Sequence, residues 1–118
     1  MADSRQFAPA TSRNREPILE VLRRVLPAHG TVLEISSGTG EHATFFAASL
    51  PALIWQPSDP DPASRASIAA WTAALAVPNV LPPLDLDARA PLWPLETADA
   101  VICINMIHIG TVGSRSPS

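Results

Sequence analysis

The run Val32-Leu33-Glu34-Ile35-Ser36-Ser37-Gly38-Thr39-Gly40-Glu41-His42 constrains this chain more than any other stretch, because a short apolar strand passes into a small-residue turn and then into a helical pattern. That is the architecture of a nucleotide-type binding loop. Glycines at 38 and 40 permit positive φ and leave room for a ligand to approach bare backbone. Glu34 is the informative residue. A carboxylate inside a run of Val, Leu and Ile is costly to bury without a partner, so it is expected at the strand's carboxyl end with a donor beside it. An incoming ammonium group would be one such donor.

A length of 118 residues allows one small domain. With 47% hydrophobic and 16% charged residues spread along the chain, the composition is globular. No run approaches the roughly 18 uninterrupted apolar residues of a membrane helix, and Met1 to Arg5 leads into no signal-peptide core. The expectation is a soluble chain in the cytoplasm. Cys103, the single cysteine, excludes an internal disulfide and reads as a small buried hydrophobe. His29, His42 and His108 have no ligand spacing with it, so no metal site is expected. The net charge is −3, and the basic residues are all arginines scattered from Arg5 to Arg115, which gives no footprint for nucleic acid. Without a lysine, a Walker-type phosphate loop is excluded.

Residues 1–12 read as a polar arm. A helix is expected from Asn14 as cap, with Pro17 in the first turn and Ile18, Leu19, Leu22, Val25 and Leu26 on one face, ending at Pro27. His29-Gly30 then turns the chain into a first strand, Val32 to Ile35. After the glycine turn, Glu41 to Leu50 reads as a helix with Ala43, Phe46, Ala47 and Leu50 facing the core. His42 in its first turn reads as a packing or solvent residue. Ala52 to Gln56 is a second strand, followed by a proline-rich turn in which Asp61 caps the next helix and Pro62 takes its first position. In that helix Ile68, Trp71 and Leu75 are expected on one core-facing side. Asn79 to Leu81, resumed at Leu84 to Asp87, suits an edge strand because Pro82 and Pro83 interrupt it. Ala100 to Ile107 is a continuous apolar run, as expected for a parallel strand covered on both faces, and Gly110 to Ser118 reads as a flexible tail.

Alternating strands and helices with short connections imply an open, Rossmann-like parallel α/β sheet of about four strands with flanking helices. Ligands bind such sheets outside the carboxyl ends of the strands, near the point where strand order reverses. Glu34 and the glycine turn, Asp59, Asp87 and Asn105 fall at the ends of the first to fourth strands. Asp59 follows Gly40 by about twenty residues, close to the spacing at which a carboxylate accepts from a ribose diol. The competing reading of Asp59 is a turn residue in Ser-Asp-Pro.

At these residues the sequence resembles a known family. Glu34-Ile35-Ser36-Ser37-Gly38-Thr39-Gly40 is similar to the acidic-x-Gly-x-Gly-x-Gly signature of class I S-adenosylmethionine-dependent methyltransferases, with Ser36 in place of the first glycine. More narrowly, Arg13 to Leu19, Val32 to His42, Trp55 to Asp59 and Cys103 to His108 resemble blocks of a little-characterised methyltransferase-like family with a Ser-Gly-x-Gly-x-His loop. The resemblance covers residues 9 to 109. It implies S-adenosyl-L-methionine as cofactor, with Glu34 and the backbone around Ser36, Gly38 and Gly40 at its methionine part. It puts Asp59 at the ribose, Asp87 by the adenine and Asn105 near the transferring methyl, and it leaves the methyl acceptor open.

The resemblance divides the chain into an arm (1–12), a partial cofactor-binding domain (13–109) and an unrelated tail (110–118). It further implies a form cut short after the fourth strand, with a sheet edge left for a protein partner to cover. Two other readings compete. One is a non-catalytic binding or regulatory fragment. The other is an NAD(P)-binding domain, since Gly38 to Ala43 also fits G-x-G-x-x-A; Glu34 argues against it, because dinucleotide strands carry an apolar residue there.

Overall fold

The computed structural model describes residues 3–7, 11–86, 98–103 and 108–110. Helix α1 (Thr11–Val25) is followed by strand β1 (Gly30–Glu34), helix α2 (Glu41–Ser49), strand β2 (Leu53–Pro57) and helix α3 (Pro62–Leu75). Strands β3 (Ala100–Cys103) and β4 (His108–Gly110) complete the set. The sheet order is β2-β1-β3-β4. β1 pairs in parallel with β2 and with β3, placing Val32 beside Trp55 on one side and Ala100 on the other.

The interrupted third strand survives as two single parallel bridges to the outer edge of β2, Trp55 with Val80 and Ser58 with Leu84. Proline explains the reduction: Pro82 and Pro83 cannot donate to a ladder. Gln56 compensates from within β2, its Nε2 donating to Pro82 O at 2.8 Å and to Pro57 O at 2.9 Å. Counting the bridged segment 80–84, the parallel part of the sheet runs outward from β1 through β2 and then returns to β3 on β1's other side. The chain reverses direction across the sheet between β1 and β3, which is the topological switch point of an open α/β sheet.

Three expectations need correction. β4 pairs antiparallel with β3, with Val101 opposite Gly110 and Cys103 opposite His108, so the sheet is not purely parallel and the chain returns along β3 at 108–110. Helix α1 begins at Thr11 rather than Asn14 and carries Pro17 in its interior. Its buried stripe is Leu19 and Leu22, whereas Val25 is exposed. The third concerns α3. Ile68 is buried, but Leu75 is exposed, and Trp71 meets the amino-terminal segment rather than the core. Its Nε1 donates to Gln6 O at 2.9 Å, and its ring takes the edge of Phe7 at 5.2 Å. Of the expected strand 100–107, residues 104–107 lie outside the described residues.

Alternation along the strands sorts the core onto two faces. Val32, Leu53, Trp55, Ala100 and Ile102 pack with Leu19 and Leu22 of α1 and Ala43, Phe46 and Ala47 of α2. Leu33, Ile35 and Cys103 face the other way and meet Leu86, with Leu84, Ala98 and Val101 beside them. Large side chains buried completely, such as Phe46 and Trp55, each contribute about 2–3 kcal/mol, and among the described residues the face covered by α1 and α2 carries the larger cluster. Among the described residues, no helix is long and apolar enough to cross a membrane.

Candidate functional site

β1 ends at Glu34, and the chain must turn there to reach α2. Ile35 N–H still donates to Ile102 O of β3 at 2.8 Å. Beyond it Ser36, Gly38 and Gly40 all take positive φ, at 56°, 63° and 91°. Two of these are glycines, for which that region is free of Cβ strain, and Ser36 is the non-glycine exception. The turn is tied to β2 by two serines. Ser37 N–H donates to Ser58 O at 2.8 Å, Ser58 N–H donates to Ser37 Oγ at 3.0 Å, and Ser58 Oγ donates to Glu34 O at 2.6 Å.

Gly38 N–H donates to Asp59 Oδ2 at 3.0 Å. The glycine turn, the end of β1 and the residue after Ser58 therefore form one hydrogen-bonded unit above the carboxyl ends of β1 and β2. Helix α3 closes it from outside: Ser67 Oγ donates to Thr39 O at 2.5 Å. Gly40 lies so close to this helix that a Cβ would sit 2.7 Å from Ile68 Cα. The bareness of Gly40 thus admits α3 on the side that a Cβ would occupy.

Glu34 is 1% exposed. Its donor comes from within the chain, because Trp55 Nε1 donates to Glu34 Oε1 at 3.1 Å. The parallel register explains this: Trp55 stands opposite Val32, two residues before Glu34 and on the same face. Burial pushes the Glu34 carboxyl up to about 7; hydrogen bonds from Trp55 and Ser37 oppose the shift, and the nearby Asp59 charge adds to it.

Asp59, 9% exposed, uses both oxygens, Oδ2 toward Gly38 and Oδ1 toward Asp61 N–H at 2.9 Å. Its own N–H donates to Leu84 O at 3.0 Å. It is thus both a turn residue and an acceptor facing the glycine turn. Each carboxylate oxygen retains lone-pair capacity beyond these bonds.

The His42 ring stacks on Phe46 at 5.2 Å and 10° between planes. Its Nδ1 is buried without a hydrogen-bond partner. Burial lowers its pKa; the Glu41 charge opposes this and Arg15 adds to it, so the ring is a neutral packing group at pH 7.

Of the sequence-derived site residues, the structure brings together Glu34, Ser36, Gly38, Gly40 and Asp59. Asp87 and Asn105 lie outside the described residues. Sequence reasoning missed Trp55, Ser58, Arg65 and Ser67, which hold the others in place. The resemblance block Trp55 to Asp59 contained Trp55 and Ser58 without giving them a role, and Arg65 and Ser67 depend on helix placement. A groove of about 400 Å³ bordered by Leu22, Leu26, Pro27, Leu50 and Leu53 opens at the opposite, amino end of the sheet. It lacks carboxylates and is remote from this chemistry. No group of three or more metal-ligating side chains occurs among the described residues.

The model of a family described as "Protein of unknown function (DUF938)" matches residues 5–115. Among solved structures, the chain is similar to a methyltransferase from Thiobacillus denitrificans crystallised with S-adenosyl-L-homocysteine, at 22% identity and a TM-score of 0.60, covering 82% of this chain and 36% of that one. It is similar to another from Geobacter sulfurreducens in complex with the same compound, at 21% identity and a TM-score of 0.61, covering 85% and 37%. A third, coclaurine N-methyltransferase bound to N-methylheliamine and SAH, matches at 15% identity and a TM-score of 0.63, covering 75% and 26%. The chain therefore spans between a quarter and two fifths of the length of these proteins. At such identities the likeness establishes the fold alone: the chain matches a part of the Rossmann-like fold of these structures.

Proposed function

We propose that this chain, which belongs to the DUF938 family, forms the S-adenosylmethionine-binding part of a methyltransferase. The observation that carries the reading is the unit of two carboxylates and a glycine turn over the carboxyl ends of β1 and β2, beside the switch point. Glu34 is buried under the turn, and Asp59 accepts from Gly38 N–H beside it. A cation suits this donor set. The Asp59 charge opposes ionisation of Glu34, and an ammonium or sulfonium would relieve that opposition. The crystallised neighbours that hold S-adenosyl-L-homocysteine in the same fold support the choice of compound.

In this reading Glu34 and the backbone of Ser36, Gly38 and Gly40 hold the methionine end. Asp59 accepts from the ribose hydroxyls, Asp87 lies by the adenine, and Asn105 lines the pocket near the methyl. When bound, the cofactor supplies an electrophilic methyl on its sulfonium. The chain's own residues bind and orient, which is where most of the gain in a methyl transfer arises.

Isothermal titration of S-adenosylmethionine against chain 1–118 tests the proposal, with NAD as control and the Glu34→Gln and Asp59→Asn variants checked for folding by circular dichroism. The expected result is saturable binding of the sulfonium compound, weaker by about tenfold in each variant, and none of NAD. A folded chain that binds neither compound, or that binds NAD at this site, overturns it.

A further inference from the structure

We propose that Arg65 is a positioning residue for the ribose: its guanidinium fixes the turn that aims the Asp59 carboxylate. Arg65 stands at the end of the first turn of α3, where the helix dipole disfavours a cation, so its placement calls for an offsetting set of acceptors. That set is present. Nη1 donates to Asp59 O at 2.9 Å and to Pro60 O at 3.0 Å, and it lies 3.3 Å from Asp85 Oδ1.

The two carbonyls carry the effect. The Asp85 side chain is 73% exposed, and a pair so open to water contributes little. The carbonyls, by contrast, belong to a turn in which Pro60 and Pro62 supply no N–H, so the turn has few donors of its own to hold its peptide planes. Arg65 supplies one from outside, as a charge-assisted donor. It joins two pieces that border the site, α3 and the turn after β2. With Asp59 O held by Arg65, Asp59 N–H by Leu84 and the carboxylate by Gly38 and Asp61, the direction of the remaining lone pairs is set before any ligand arrives. Such preorganisation reduces what binding must otherwise order.

This inference rests on the reading of Asp59 as the ribose acceptor. The test is titration of S-adenosylhomocysteine against the full chain and its Arg65→Gln, Arg65→Lys, Asp59→Asn and Asp59→Asn/Arg65→Gln variants, with melting curves read alongside. The expected result is a loss of about tenfold in affinity for Arg65→Gln. Arg65→Lys, which keeps a cationic donor, recovers part of it. In the Asp59→Asn background Arg65→Gln adds no further loss, which a general structural role would not produce. Undiminished binding by a folded Arg65→Gln chain overturns the Arg65 proposal alone, as do a folded Arg65→Lys chain that binds no better than Arg65→Gln and equal penalties with and without the Asp59 carboxylate. Absence of binding by the unsubstituted, folded chain overturns the cofactor reading beneath it.

Discussion

Replacing Glu34 by Gln should remove a pH-dependent loss of stability, with a magnitude that follows from burial. The carboxyl has an ordinary value of 4.5 and is pushed to about 7 in the fold, chiefly by desolvation. Between those two values the folded state holds the proton and the unfolded state has released it. Unfolding free energy therefore falls as pH rises through this window, at about 1.4 kcal/mol per pH unit, and the fall amounts to about 3 kcal/mol by pH 8. Gln cannot ionise, and its amide oxygen still accepts from Trp55 Nε1. Any constant cost of its NH₂ group shifts the whole curve without changing its slope. Thermal melts of both chains followed by circular dichroism from pH 4 to pH 8 read the difference. Glu34→Gln should gain on the parent steadily with pH, reaching a relative rise of roughly 10 °C in Tm at the alkaline end. Parallel curves across the range would falsify the assignment of a buried, proton-holding carboxyl at the end of β1.

Two further outcomes follow from packing. Gly40→Ala would put a Cβ 2.7 Å from the Ile68 backbone at a φ of 91°. The combination of strain and displaced helix should cost about 3 kcal/mol or more, read as a fall of roughly 10 °C or more in Tm. Asn79→Ala should cost about 1–3 kcal/mol, because Asn79 Nδ2 donates to Ala47 O and Leu53 O at 2.8 Å each and to Leu50 O at 3.4 Å, closing the turn between α2 and β2. A lower urea midpoint at unchanged m is the expected signature, and an unchanged midpoint would remove Asn79 from that role.

Local features of this protein were legible in its residues alone. The glycine turn was legible because Gly38 and Gly40 are the residues that take positive φ without Cβ strain, and they do so here. The cap at Asp61 was legible because a carboxylate before a first-position proline satisfies open N–H groups, as it does toward Ala63 and Ser64. The proline-broken edge at 80–84 was legible because proline cannot donate to a ladder. The place of Glu34 at the strand's end with a donor beside it was legible from its apolar neighbours, but the identity of that donor was not. Trp55 reaches it only because the parallel register sets Trp55 opposite Val32, and register is a property of two strands rather than of either one. Tertiary structure alone likewise decided that residues 3–7 cover Trp71, that Gly40 yields space to Ile68, that 108–110 returns antiparallel along β3, and that Arg65 reaches back to the turn holding Asp59. Local spacing specifies which groups are available at each strand end. Which groups then meet depends on contacts between residues distant in the chain, fixed only when the helices and strands pack together.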